Sequence, residues 1–152
     1  MVKLKTDQVG RAGEAFVTAE ILRRGGYAVM FSGNMPGIDI LASDVEHTHT
    51  VTVQVKTKTT GDWQTDIRRG RTWDDDPEDR RFWILVDLSH EHPEFFVMPA
   101  YWIENDIVQR HAEYLEAHGG HRARSAESTH HSINVKRLEQ WRGRWDVLGI
   151  FV

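Results

Sequence analysis

The chain has 152 residues, of which 39% are hydrophobic and 28% are charged, so one globular domain spanning residues 1–152 is expected and disorder is excluded. The absence of cysteine excludes disulfides and thiolate metal sites. Because the formal net charge is −4, any nucleic-acid surface must come from local clustering of basic residues.

The first part of the chain predicts a helix followed by three strands. The helix is capped at Thr6 or Asp7 and ends at the glycine pair 25–26, since apolar residues recur along it at three- and four-residue steps. Residues 27–31 are β-prone, a segment with a Pro-Gly turn follows, and residues 38–42 form the second strand. A polar turn then leads to the third strand at residues 50–57.

The rest of the chain is less regular. Residues 60–81 predict a short helix or an irregular crossover followed by an exposed loop. Residues 82–88 are typical of a central strand covered on both faces, residues 95–98 predict another strand, and Pro99 begins a helix that reaches residues 118–120. A basic linker and a helical segment at residues 135–141 follow, within a C-terminal extension (119–152) expected to pack on the domain. The predicted class is α/β (α+β), with a mixed sheet flanked by helices.

Polar side chains interrupt two of the predicted strands. Asp39 lies between two isoleucines, while Gln54 and Lys56 alternate with valines. Because alternate side chains of a strand share a face, a hairpin of these strands brings the three residues together. Carboxylate and amide oxygens suit Mg²⁺ or Mn²⁺, and an adjacent ammonium can position a water or stabilise a pentavalent phosphate. Glu14 on the first helix faces apolar neighbours, and a metal would be one partner for its carboxylate.

The order of these residues resembles a known family. Glu14 on an N-terminal helix, Asp39 after a Pro-Gly turn, and Gln54 and Lys56 around one valine are similar to the PD-(D/E)XK nuclease superfamily. The similarity is to its restriction-endonuclease-like and archaeal Holliday-junction-resolvase-like branches, and it implies an αβββαβ core. It also implies that Glu14, Asp39 and Gln54 form the metal site and that Lys56 orients the attacking water. Gln54 is a departure, because most members carry an acid there and a neutral amide ligates Mg²⁺ more weakly.

Basic residues near the predicted site are candidates for binding the nucleic-acid backbone. We expect phosphate contacts from four residues of this region: Lys58, Arg68, Arg69 and Arg71. A second basic segment between residues 121 and 144 includes Arg122 and Arg124, although a solvated surface explains it equally well.

Structural alternatives exist for each candidate residue. Asp39 can serve a turn, Lys56 and Lys58 can form an exposed strand face, and Glu14 can be an ordinary helix residue. Nine histidines are present, but their short spacings fall in predicted loops and lack the helical pattern of a zinc site. Solvated loop histidines are therefore expected.

The sequence favours a Mg²⁺- or Mn²⁺-dependent endonuclease that hydrolyses phosphodiester bonds in DNA, with RNA not excluded. One alternative is a catalytically inactive nucleic-acid-binding module of the same fold, in which Gln54 marks the lost site. Another is an interaction domain that binds no nucleic acid. The resemblance implies a homodimer. A cytoplasmic protein without a membrane partner is expected, because no signal peptide or membrane-spanning run is apparent.

Overall fold

The computed structural model describes residues 2–33, 35–120 and 128–152. In chain order its helices and strands are α1 (Thr6–Arg23), β1 (Tyr27–Met30), β2 (Ile40–Ser43), β3 (Thr50–Lys58), β4 (Trp63–Asp66), β5 (Arg81–Asp87), β6 (Glu94–Pro99), α2 (Ala100–Ala117) and β7 (His130–Ile133). Short 3-10 helices cover Ile67–Arg69, Val135–Trp141 and Trp145–Leu148. No helix formed by the described residues combines the length and apolar character needed to cross a bilayer.

A mixed five-stranded sheet forms the centre of the fold, with strand order β1-β2-β3-β5-β6. The pair β3–β5 is parallel, and the other neighbouring pairs are antiparallel. Strands β4 and β7 form a separate two-stranded antiparallel ribbon. Helix α1 packs against β1 and β3, whereas α2 packs against β5 and β6, so helices flank the sheet as predicted.

Both faces of the sheet are covered by apolar cores. The central strand β5 alternates between them: Ile84 and Val86 pack on the α1 side, while Trp83 and Leu85 pack on the α2 side. This explains the continuous apolar sequence of β5. Residues of the C-terminal region enter both cores: Trp145, Leu148 and Ile150 on the α1 side, and Ile133 and Leu138 on the α2 side.

Glycine at position 13 allows α1 to lie close to β3. A Cβ atom built on Gly13 would lie 1.8 Å from Oγ1 of Thr57, which is far inside van der Waals contact. Helix α1 therefore approaches the sheet at a point where no larger residue fits. The next residue, Glu14, thereby lies near Asp39 at the start of β2.

The structure differs from the sequence predictions in several connections. The crossover at residues 60–81 holds the strand β4 and one 3-10 turn, and β7 is a further strand that was not predicted. The closing segment at residues 135–141 is 3-10 helical. Asp39 lies just before β2 rather than inside it, and Pro99 is the N-cap of α2. The predictions for residues 121–127, including Arg122 and Arg124, lie outside the described residues.

Candidate active site

Asp39 is held by the β-hairpin at the start of β2. Its backbone N–H donates to the carbonyl of Val53 at 2.9 Å, and its carbonyl accepts from the N–H of Phe31 at 3.1 Å. Its carboxylate Oδ2 accepts a hydrogen bond from the N–H of Val55 at 2.7 Å. The backbone of β3 therefore fixes both the position and the orientation of this carboxylate.

Gln54 and Lys56 reach the same region from β3. Because Ile40 pairs with Val53 in the antiparallel register, Asp39 lies beside Gln54 at the end of the hairpin. Gln54 is buried, and Lys56 is half-buried. The hairpin geometry expected from the alternation of residues on β3 is thus the one observed.

Glu14 lies on α1 near the carboxylate of Asp39. Burial and the negative charge of Asp39 raise the pKa of Glu14, while the guanidinium of Arg11, 4.0 Å away, acts in the opposite direction. Two carboxylates are therefore close enough to repel one another. A bound cation would relieve this repulsion.

These side chains line a cleft made of two adjoining cavities. The smaller cavity, about 540 Å³, is lined by Glu14, Asp39, Gln54 and Arg69, among others. The larger cavity, about 810 Å³, is lined by Gln54, Lys56 and Arg69, among others. Gln54 and Arg69 line both cavities, so they lie where the two meet. The four predicted catalytic residues therefore line two cavities that share Gln54 and Arg69, and the two cavities together are called the cleft.

The ammonium of Lys56 is perturbed by its surroundings. Burial lowers its pKa, the nearby Arg69 lowers it further, and Asp39 and Asp66 oppose the shift. Lys56 therefore gives up its proton more readily than an exposed lysine. A lysine in this state can position a water or exchange a proton with it.

Three of the four predicted phosphate-binding residues line the larger cavity. Arg68, Arg69 and Arg71 all contribute to its wall. Arg68 is held by Asp66, because its Nε donates to Oδ1 at 3.0 Å and its Nη2 donates to Oδ2 at 2.6 Å. The structure thus brings a row of guanidinium groups to the cleft that contains Lys56.

Lys58 is placed apart from this group. Its Nζ lies 2.9 Å from Oδ2 of Asp87, and both side chains are at most 10% exposed. The same ammonium lies 4.8 Å from the ring centre of Trp63. The charge of Lys58 is therefore balanced inside the protein.

The donor atoms of the cleft fit a hard divalent cation. Asp39 and Glu14 offer carboxylate oxygens, and Gln54 offers an amide oxygen, which is the ligand chemistry of Mg²⁺ or Mn²⁺. The raised pKa of Glu14 supports this fit, since a cation would offset the charge of its neighbour Asp39.

A second group of potential metal ligands lies away from the cleft. The ligand atoms of Asp87, His90 and Glu94 all lie within 4.8 Å of one another, and His90 is an exposed loop residue, as predicted. Both carboxylates are already paired, Asp87 with Lys58 and Glu94 with Arg142. This arrangement is explained by its internal ion pairs.

Sequence reasoning did not identify one part of the wall of the larger cavity. That part is built by Gln64, Thr65 and His130 from the β4–β7 ribbon and by Glu104 from α2. The signal that was available is the alternation of buried and exposed residues along β4 and β7. Because both strands are only four residues long, this alternation is too short to stand out in the sequence.

Comparison with known proteins supports the fold. No protein-family model and no curated protein matches the chain. Among solved structures, the bacterial homing endonuclease I-Ssp6803I is similar, with a TM-score of 0.55 and 19% sequence identity over 96% of this chain and 95% of that one. The chain therefore has an α+β fold of the restriction-endonuclease-like type, as the sequence predicts.

Proposed function

We propose that this protein is a divalent-metal-dependent endonuclease that hydrolyses phosphodiester bonds in DNA. The observation that carries the proposal is the convergence of Glu14, Asp39, Gln54 and Lys56 on one cleft. The similarity of the fold to a homing endonuclease supports DNA as the substrate. In this proposal Asp39, Glu14 and Gln54 hold Mg²⁺ or Mn²⁺, which when bound neutralises charge on the phosphate and polarises it.

The remaining steps belong to the side chains of the protein. Lys56, whose pKa is lowered by burial and by Arg69, positions the attacking water beside the phosphorus. Arg69, where the two cavities meet, holds a phosphate oxygen, and Arg68 and Arg71 hold the flanking backbone. A second cleft on a partner subunit would allow both strands to be cut in one encounter, so we include a homodimer in the proposal, and sedimentation analysis tests it.

The second candidate is a module that binds nucleic acid without cutting it. The observation that favours this candidate is the neutral side chain of Gln54, because it leaves the site with one negative charge fewer than an acid would supply. Restoring the acid by Gln54→Glu distinguishes the two candidates. An inactive module should begin to cut DNA or bind Mn²⁺ more tightly after the change. An active enzyme should cut DNA and bind Mn²⁺ before the change.

A nicking assay tests the proposal directly. Supercoiled and branched DNA are incubated with the wild-type protein in EDTA, Mg²⁺ or Mn²⁺, and the Asp39→Asn and Lys56→Met variants are compared with it. The Asn side chain keeps an oxygen that can accept from the N–H of Val55, so folding should be preserved. Lys3→Met and Asp146→Asn serve as matched controls at exposed positions outside the cleft.

Metal-dependent nicking that both cleft variants abolish and both control variants retain would support the enzyme. Folded wild-type protein that binds DNA but does not cut it with either metal would instead favour the binding module. Absence of DNA binding by the folded protein would overturn both candidates.

A further inference from the structure

Two residues that line the larger cavity of the cleft each carry a buried polar atom with no hydrogen-bond partner among the described residues. These atoms are Oε2 of Glu104 on α2 and Oγ1 of Thr65 on β4. Both residues line this cavity and are less than 10% exposed. Because buried polar atoms are nearly always paired in folded proteins, two unpaired ones in the wall of one cavity are candidates for binding a ligand that supplies the missing partner.

The other atoms of Glu104 are held firmly. Nη1 of Arg81 donates to Oε1 at 3.2 Å, and the backbone carbonyl of Glu104 accepts from the N–H of Arg71 at 3.2 Å. Arg81 also donates to Asp79, so its charge is shared between two carboxylates. Oε2 is therefore left as a fixed acceptor with no other contact to satisfy it in the described part of the chain.

The surroundings of this acceptor fit a planar ligand with an attached donor. The aromatic residues Phe82 and Trp83 line the same cavity, and so does Lys56. A volume of about 810 Å³ is in the range of small-molecule sites and is ample for one nucleobase. A carboxylate accepts well from the exocyclic amino group of cytosine, and adenine carries an amino group of the same kind.

We propose that Glu104 selects a base that carries an exocyclic amino group, cytosine or adenine, next to the phosphate held in the cleft. Oε2 of Glu104 accepts a hydrogen bond from that amino group, and the hydroxyl of Thr65 makes a second contact to the base. The inference rests on the proposed function, because it assigns a base preference to the same DNA-binding cleft.

A binding selection with a random-sequence DNA duplex library tests this assignment, with Ca²⁺ in place of Mg²⁺ to slow cleavage. The wild type should enrich cytosine or adenine at one position. Glu104→Gln should shift the preference there to guanine or thymine, since Arg81 fixes the amide oxygen and the amide NH₂ then occupies the place of Oε2. We expect a change of roughly tenfold in relative affinity. Glu113→Gln, at an exposed position of the same helix, is the matched control.

Base analogues isolate the amino group itself. Selected duplexes in which purine replaces adenine, or 2-pyrimidinone replaces cytosine, lack the donor that Oε2 requires. The wild type should bind them roughly tenfold more weakly than the parent duplexes. Glu104→Gln should show no such loss.

Thr65→Val provides a second variant of nearly the same shape. Removing a buried, unpaired hydroxyl should raise the melting temperature of the free protein, while the base preference weakens. A threonine that only supports the fold would instead give a lower melting temperature and an unchanged preference.

The possible results distinguish a failure of the base preference from a failure of the proposed function. Duplex binding with an unchanged preference in Glu104→Gln and Thr65→Val would overturn this inference and leave the endonuclease proposal standing. An unchanged preference with weaker Ca²⁺ binding in Glu104→Gln would also overturn it, by assigning Oε2 to a cation. Absence of duplex binding by the wild type would overturn the proposed function itself.

Discussion

Two lysines on the same face of β3 have different surroundings. Lys58 is enclosed with Asp87 and lies over the ring of Trp63. Lys56, two residues earlier, lines the cleft and has a pKa lowered by burial and by Arg69. We therefore expect Lys58 to stabilise the fold, whereas the proposed function assigns a chemical role to Lys56.

Replacing Lys58 by Met should destabilise the fold. The variant leaves the carboxylate of Asp87 buried without its cation, and breaking a buried ion pair in this way costs about 3 kcal/mol of unfolding free energy. Urea unfolding at pH 7 measures the loss, and Lys3→Met at an exposed position is the control. DNA binding should keep the same salt dependence as in the wild type.

The pH dependence of this loss follows from Asp87. Burial acts to raise its pKa, but hydrogen bonds from Ser89 and the charge of Lys58 hold the pKa below its ordinary value of 3.8. The stabilisation is therefore complete above 3.8 and is lost as the pH falls through the lower folded-state pKa. The difference between wild type and Lys58→Met should shrink over that acidic range. Unchanged stability with a weaker salt dependence would instead make Lys58 a phosphate contact.

Asp44 in the β2–β3 turn gives a second pH-dependent prediction. Hydrogen bonds from the N–H of His49 and the hydroxyl of Thr48 lower the pKa of Asp44 from 3.8 to about 2. Its stabilisation is present above 3.8 and is lost as the pH falls through about 2. Asp44→Asn should lower the melting temperature at pH 7 and by much less at pH 2, where Asp44 is already partly protonated. Glu46→Gln in the same turn is the control, and an equal loss at both pH values would contradict the prediction.

At the scale of elements, the close approach of α1 to β3 positions the cleft. Gly13 is the contact point, and Glu14 is the next residue on the helix. The partner atom, Oγ1 of Thr57, is buried and has no hydrogen-bond partner in the described part of the chain. The close packing of α1 on β3 therefore leaves this buried hydroxyl without a hydrogen bond from the described residues.

Gly13→Ala should push α1 away from the sheet. The added methyl would overlap Thr57, and overpacking of this kind costs roughly 1–3 kcal/mol. Nicking activity should fall as well, because Glu14 moves with the helix. Gly10→Ala is the matched control for the unfolding free energy: its Cβ would meet nothing within 4 Å, and alanine favours the helix by up to about 1 kcal/mol.

A double-mutant cycle checks the cause of this effect. Thr57→Ala removes the atom that Gly13→Ala would strike, so the two changes together should cost less than the sum of their separate costs. Strict additivity in urea unfolding would show that the helix is not held at this contact.

The elements that could be predicted from sequence are those with a strong periodic pattern. Helix α1 has apolar residues at three- and four-residue steps, β3 has alternating valines, and β5 has a continuous apolar run. Each pattern marks the side chains that the element buries on one face or on both, so it can be recognised within the sequence of that element alone. Strand β4 instead depends on distant contacts, since Trp63 donates from its indole N–H to the carbonyl of Val86 at 2.9 Å and its strand pairs with β7. Its cleft residues, such as Thr65, were missed for the same reason.

At the scale of the whole molecule, the cleft lies between the main sheet and the β4–β7 ribbon. Glu14 of α1 and Asp39 before β2 bring carboxylates to the smaller cavity, and the segment after β4 brings Arg68, Arg69 and Arg71 to the larger one. Charged groups are therefore unevenly distributed around the cleft, although the net charge of the whole chain is −4. A chain that is acidic overall can bind a polyanion through such a local surface.

This charge separation predicts that the affinity for DNA depends on salt concentration and that only a few phosphate contacts produce the dependence. Each phosphate contact in duplex DNA contributes about 0.9 to the slope of log affinity against log salt concentration. Arg69→Gln should therefore lower the magnitude of the slope by about 0.9, the contribution of one phosphate contact. Fluorescence anisotropy between roughly 50 and 200 mM salt measures the slope. Arg144→Gln removes the same charge at a position paired with Asp146 outside the cleft and should leave the slope unchanged. Equal slopes for both variants would show that DNA binds elsewhere on the molecule. A difference between the two slopes of about 0.9, the value of one phosphate contact, would place a phosphate where the two cavities meet.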